Sequence, residues 1–167
     1  MLALNITDIK DFMNKLLIGE VFDPLWLTEA AVTTFNTFTI DGTLQRDFFD
    51  SDSCQVLDET SRTHSLWKEV KPFCYSIIRG KRTPLYFKII FQLPHRKAEA
   101  ALSQTDLGIS PENVTGLYLN LQYKNNSLLC TTGTSLKTFL PGKQVEQFWD
   151  NMILDFFRQN QINFEKK

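Results

Sequence analysis

Cysteine is scarce: Cys54, Cys74 and Cys130 are the only three in 167 residues. Their number is odd and their spacing wide, and none has a second cysteine or a histidine at a ligand interval. That pattern signals neither a disulfide framework nor a zinc site. Each is expected as a small buried hydrophobe, and the expected compartment is a reducing cytoplasm. Glycine and proline are also sparse, at seven and six residues, too few for a linker-rich or low-complexity chain. No apolar run approaches the ~18 residues that a membrane helix needs, so no membrane partner is expected. The apolar start from Met1 to Ile6 lacks a basic leader and a small-residue cleavage site, so it does not read as a signal peptide.

Apolar and aromatic residues, by contrast, are plentiful. Fourteen phenylalanines in a chain that is 43% hydrophobic and 13% aromatic supply enough apolar surface for a core, and one domain over residues 1–167 is expected. Net charge is close to balanced at −1, with a pI of about 6.1. Its distribution is not even: nine of the eighteen Lys and Arg residues fall between Arg62 and Lys97, where Glu69 is the only acid. A field of this kind attracts phosphates, acidic partners or anionic surfaces, and it speaks to association rather than to chemistry.

Hydrophobic periodicity organises the chain. Thr7 or Asp8 can cap a helix in which Ile9, Phe12, Met13, Leu16 and Leu17 share a face. From Phe22 to Phe49 the texture becomes β-branched and aromatic, with Asp41-Gly42 read as a two-residue hairpin turn between strands Ala31–Ile40 and Thr43–Phe49. Leu25–Thr28 is a further strand or the start of one long bent strand. The acidic stretch Asp47, Asp50, Asp52, Asp58 and Glu59 reads as a solvated loop, since its Asp-x-Asp pair has no further oxygen donors at a defined interval to hold a cation. Leu66, Trp67, Val70, Phe73, Cys74, Ile77 and Ile78 mark a helical face ending at Gly80, with Pro72 either in the first turn or at a kink. Strand Leu85–Leu93, a short helix near Arg96–Ser103, an alternating run from Leu117 to Tyr123, a turn at Lys124-Asn125-Asn126-Ser127 and a strand Leu128–Leu140 follow, with Gly133 expected at a bulge. Pro141-Gly142 opens a last helix whose apolar residues, from Val145 to Phe157, cover about half its circumference. Together these predict an α+β domain with a mainly antiparallel sheet of about five to six strands and helices packed on one face.

Two stretches carry a family likeness. The runs Thr34-Phe35-Asn36-Thr37-Phe38-Thr39-Ile40-Asp41-Gly42 and Gly80-Lys81-Arg82-Thr83-Pro84-Leu85-Tyr86-Phe87-Lys88-Ile89, with Trp67 ahead of the second, resemble an uncharacterised domain family of short proteins from anaerobic Gram-positive bacteria. The resemblance extends over nearly the whole chain. It implies a stand-alone bacterial domain and brings no activity, cofactor or catalytic residue with it.

Motifs for chemistry are missing. Gly80-Lys81-Arg82-Thr83 is not a phosphate loop, because that motif needs Ser or Thr directly after Lys and a strand-to-helix order, whereas Arg82 follows Lys81 and a helix precedes a strand. The only histidines, His64 and His95, have no locatable Asp, Ser or Cys partner in sequence, and a capping or surface role is the simpler reading. No metal and no cofactor are expected. The basic segment 62–97 is the remaining lead. Arg79, Lys81, Arg82 and Arg96 are the candidate anion-binding residues, on the argument that Gly80 lets the backbone turn sharply between them. Trp67, Tyr75 and Tyr86 are candidates for stacking on bases if the ligand is a nucleic acid. Against that, the pI and the helical position of Trp67 favour a solvated basic face paired with the acidic 47–59 segment. The expectation is a non-enzymatic binding or assembly module, with the broad face of the last helix allowing a homodimer. The alternative is an enzyme whose site is assembled from His64, His95, Asp41 and Arg82.

Overall fold

The computed structural model describes residues 1–139 and 143–167. In chain order its elements are β1 (Ala3–Ile6), α1 (Ile9–Leu17), β2 (Trp26–Thr33), β3 (Thr37–Asp41), α2 (Ser51–Glu59), α3 (Trp67–Ile78), β4 (Tyr86–Gln92), α4 (His95–Ser103), β5 (Val114–Lys124), β6 (Ser127–Leu136), α5 (Gln144–Gln159) and β7 (Phe164–Lys166). The strands form one sheet in the order β3-β2-β4-β5-β6-β1-β7, and every neighbouring pair is antiparallel. The sheet therefore has seven strands rather than five to six. The additions are β1 and β7, of four and three residues, too short to show an alternating pattern.

Alternation along the strands makes the sheet one-sided. Leu4 and Ile6, Ala30 and Val32, Phe87, Ile89 and Phe91, Leu117, Leu119 and Leu121, and Leu128 and Cys130 belong to one core cluster, which α1, α3 and α5 join through Phe12 and Leu16, Trp67 and Cys74, and Trp149 and Phe157. The opposite face carries Glu29, Ile90 and Asn120 in one row across β2, β4 and β5 and Ala31, Lys88 and Gln122 in another, the more polar outer side typical of antiparallel sheets. Two buried indoles tie helices to backbone: Trp67 Nε1 donates to the Leu16 carbonyl at 2.8 Å and Trp149 Nε1 to the Tyr118 carbonyl at 2.7 Å.

Several local expectations change. The hairpin turn between β2 and β3 lies at residues 34–36, not at Asp41-Gly42. There the Thr33 and Thr37 hydroxyls meet at 2.9 Å, and the Thr34 N–H donates to the Asn36 carbonyl at 2.8 Å. Gly42 is needed for a different reason: a Cβ there would stand 1.8 Å from the Leu27 carbonyl oxygen, where β2 is bulged between Leu27 and Glu29. The expected strand Thr43–Phe49 is absent, and a short 3-10 turn, Arg46–Phe48, occupies its end. The acidic stretch is not a loop, for α2 forms within it, capped by Asp50, whose carboxylate accepts from the Ser53 N–H at 2.7 Å. Pro72 lies inside α3, which starts at Trp67. Gly133 pairs regularly with Tyr118, and the irregularity in β5 and β6 falls between Val114 and Gly116. Asn125 and Asn126, at φ of 52° and 58°, make the expected tight turn between β5 and β6. The opening of the last helix at Pro141-Gly142 and the end of the strand at Leu140 lie outside the described residues.

Most of the apolar face of α5 packs within the chain, while Met152 and Phe156 stay partly exposed and line an apolar recess with Val21 and Leu25. Phe156 meets Phe22 edge-on at 5.7 Å, and Phe157 meets Phe12 at 6.3 Å. No helix among the described residues is long and apolar enough to cross a membrane.

Candidate functional site

Two regions collect the candidate residues, at opposite ends of the sheet. The first forms where α3 stops. Arg79 caps that helix, its N–H donating to the Tyr75 carbonyl at 2.9 Å, and its guanidinium lies 5.5 Å from the centre of the Tyr75 ring. The chain then runs through Gly80, Lys81, Arg82 and Thr83, and joins the sheet where the Leu85 N–H donates to the Thr33 carbonyl at 2.9 Å. Beside this exit stands the β2–β3 hairpin tip. Between them lies a groove of about 460 Å³ lined by Phe35, Ile77, Lys81, Arg82, Thr83 and Leu85.

Its chemistry is mixed by construction. Phe35 is 90% exposed and Leu85 71% exposed, so two large apolar side chains face solvent next to two cations. Phe73, one turn before Ile77 on α3, is also exposed but is not part of the groove lining. Neither Lys81 nor Arg82 joins an ion pair among the described residues. Other cations of the basic segment do: Lys71 meets Asp23 at 2.7 Å, Arg62 meets Glu69, and Lys88 stands 3.9 Å from Glu29. Within the acidic segment, Asp58 is held by Arg46 in a two-pronged contact at 2.8 and 3.1 Å. The basic and acidic segments are thus not paired with each other among the described residues.

The four proposed anion-binding residues do not converge. Lys81 and Arg82 share the groove, whereas Arg96 sits in the first turn of α4 beyond the far end of β4, roughly 20 Å of extended chain away. Gly80 does not adopt a left-handed backbone, so the sharp turn invoked for it is not what shapes the exit. The three candidate stacking residues are dispersed as well. Trp67 is fully buried, Tyr75 packs against the core, and Tyr86 lies on the open face at the start of β4. They form no platform for bases.

The second region surrounds Trp26. The bulge at Thr28 turns Trp26 onto the open face, in register with Gln92 and, one strand further, Tyr118. It lies outside the main core cluster yet is only 3% exposed, because two histidines cover it. The His64 ring stacks on it at 5.7 Å, and the His95 ring meets it edge-on at 4.9 Å. Residue 64 is brought there by a bridge between Thr43 and His64, and residue 95 by the start of α4. Burial holds His64 below its usual 6.5; the Asp41 carboxylate opposes that and the charge of His95 adds to it. Asp41 is held below the usual carboxylate range by the Thr43 N–H, which donates to it at 2.9 Å. Three of the four residues of the enzyme alternative therefore gather at one end of the sheet, while Arg82 is at the other. No group of three or more His, Cys, Asp or Glu among the described residues is placed to hold a metal ion.

Phe35, Trp26 and Gln92 matter to these regions and were not singled out from sequence. Phe35 carried a signal in the polar residues around it, Thr33-Thr34 before and Asn36-Thr37 after, which fit a turn better than a strand interior. Trp26 had none, since its face depends on the bulge. A family model described as "Family of unknown function (DUF5721)" matches residues 15–165. No curated protein and no solved structure matches.

Proposed function

Since the chain belongs to this family of unknown function, we propose its role from its own surface: it is a binding module whose groove beside residues 79–85 takes a partner combining negative charge with an apolar side chain. One observation carries the reading, namely that Lys81 and Arg82, in no ion pair among the described residues, line the same groove as the exposed Phe35 and Leu85. Exposed cations alone are ordinary surface. Cations beside uncovered aromatic and aliphatic side chains are the composition of an interaction patch. The reading includes a single α+β domain over residues 1–167 and a cytoplasmic setting, in which the three free thiols stay reduced.

Anilinonaphthalene sulfonate, an anionic aromatic dye, tests the groove chemistry directly. Its fluorescence should rise with the parent chain, weaken with salt, and fall by about tenfold in apparent affinity in the Lys81→Ala/Arg82→Ala double variant, a loss of ~1.4 kcal/mol. Equal binding by parent and double variant would remove the proposal. A second reading, chemistry at the histidine cluster, is favoured by the meeting of His64, His95 and Asp41 near Trp26. Any hydrolytic activity of the purified chain should then vanish in both His64→Gln and His95→Gln, and its survival in the two variants ends that reading.

A further inference from the structure

The segment between residues 43 and 66 leaves the sheet as an arm. It is attached at its base by the Thr43–His64 bridge and by the Leu44 N–H donating to the Thr63 carbonyl at 3.0 Å. None of its residues joins the core cluster or packs against it. Along the arm stand Asp47, Asp50, Asp52, Asp58 and Glu59 against a single cation before Arg62, Arg46, and that cation is already neutralised by Asp58. Asp47, Asp52 and Glu59 join no ion pair among the described residues. Amid these acids Phe48 is 86% exposed and Val56 is 56% exposed. The arm thus pairs an uncovered aromatic side chain with negative charge, the complement of a groove that pairs uncovered apolar side chains with positive charge.

Arm and groove lie at opposite ends of the sheet. The arm departs beside Trp26 and Leu27, where β2 begins, and the groove lies beside Thr33, where β2 ends. We propose that the groove is filled by the arm of a second copy of this chain, with Phe48 seated against Phe35 and Leu85 and with Asp47 facing Lys81 and Arg82. The inference rests on the groove reading above and names its occupant. The two patches lie at opposite ends of the sheet, and the contact proposed is head-to-tail, so each copy keeps a free arm or a free groove until a ring closes. A contact the size of one short arm and one groove falls at the small end of specific interfaces, so the association is weak and salt-sensitive.

Sedimentation velocity on the full chain, with two groups of variants, decides the matter. The parent should show a mass that rises with concentration past that of a dimer and falls as salt is added. An arm variant, Phe48→Ser/Asp47→Asn, and a groove variant, Lys81→Glu/Arg82→Glu, should each stay monomeric. Mixed in equal amounts they should form a dimer and stop there, because one supplies an intact groove and the other an intact arm. Phe35→Ser serves as a second groove variant should the charge reversal disturb folding, and circular dichroism verifies each. A parent that is monomeric at every concentration, a symmetric dimer that survives both variants, or a mixture that fails to associate overturns the proposal. If the dye still binds the parent groove in any of those cases, the occupant is wrong and the groove reading stands. If the dye does not bind either, both fail together.

Discussion

Gly42 shows how much one side chain can decide. A methyl group there would meet the Leu27 carbonyl at 1.8 Å, so Gly42→Ala must push β3 away from the bulge in β2 and loosen the base of the arm. We expect a loss of about 3 kcal/mol or more in urea unfolding, and a loss under about 1 kcal/mol would mean the backbone yields there easily. His64 makes a pH-dependent contribution. Its folded-state value is lowered, chiefly by burial, with Asp41 opposing and His95 adding. The folded chain therefore binds fewer protons than the unfolded one just below 6.5, and the stability His64 brings is present above that pH and is lost as pH falls through the lowered value. Melting temperature should drop between about pH 7 and pH 5 in the parent and drop less in His64→Gln; identical profiles would refute the assignment. The meeting of His64 and His95 was not legible in sequence, since they are distant along the chain and only the bulge that places Trp26 on the open face gives them a common partner. The acidity of the arm and the basicity of residues 79–82 were legible, because net charge in a segment does not depend on how it folds.

Among the elements, those with a strict period were readable and those with a mixed role were not. The middle strands alternate, because one face meets the helices and the other meets water, and the turn at Asn125-Asn126 follows from residues that tolerate a left-handed backbone. α2 buries only Leu57, so it has no apolar stripe to read, and its cap at Asp50 was the one local sign of a helix. Replacing that cap, Asp50→Ala, should cost about 1 kcal/mol within the arm while leaving the global unfolding midpoint nearly unchanged, as the arm is separate from the core; a large shift of the midpoint would show the arm to be integral. α5 gives the opposite contrast. Phe157 is fully buried, whereas Phe156 is only partly so. Phe157→Ala should therefore cost ~3–5 kcal/mol and Phe156→Ala distinctly less, by denaturant titration. Equal losses would mean that the recess beside Phe156, bounded by Val21 and Leu25, closes as tightly as the core.

At the scale of the molecule, the sheet order sets where stability resides. β4 and β5 lie inside the sheet and are covered by helices on their apolar side, while β3 and β7 form its edges. β1 pairs with both β6 and β7, so the first strand of the chain is fixed only once β6 arrives, with Ala3 opposite Thr131, and the last strand then docks on it. That is a long-range closure with a large entropic cost before any contact repays it. Opening should follow the same geometry in reverse. Amide hydrogens of β4 and β5 should exchange only through global unfolding, those of β7 through a smaller opening that frees the C-terminal edge, and those of the arm most readily, since α2 buries only Leu57 and has no part in the main core cluster. Native-state hydrogen exchange with increasing denaturant would read the three levels separately. Protection in α2 equal to that in β4 would show that the arm is held by the body of the molecule, which would leave it unable to reach a neighbour's groove. Rapid exchange in the arm that slows as protein concentration rises, while β4 stays unchanged, is the outcome expected if its partner is a second copy.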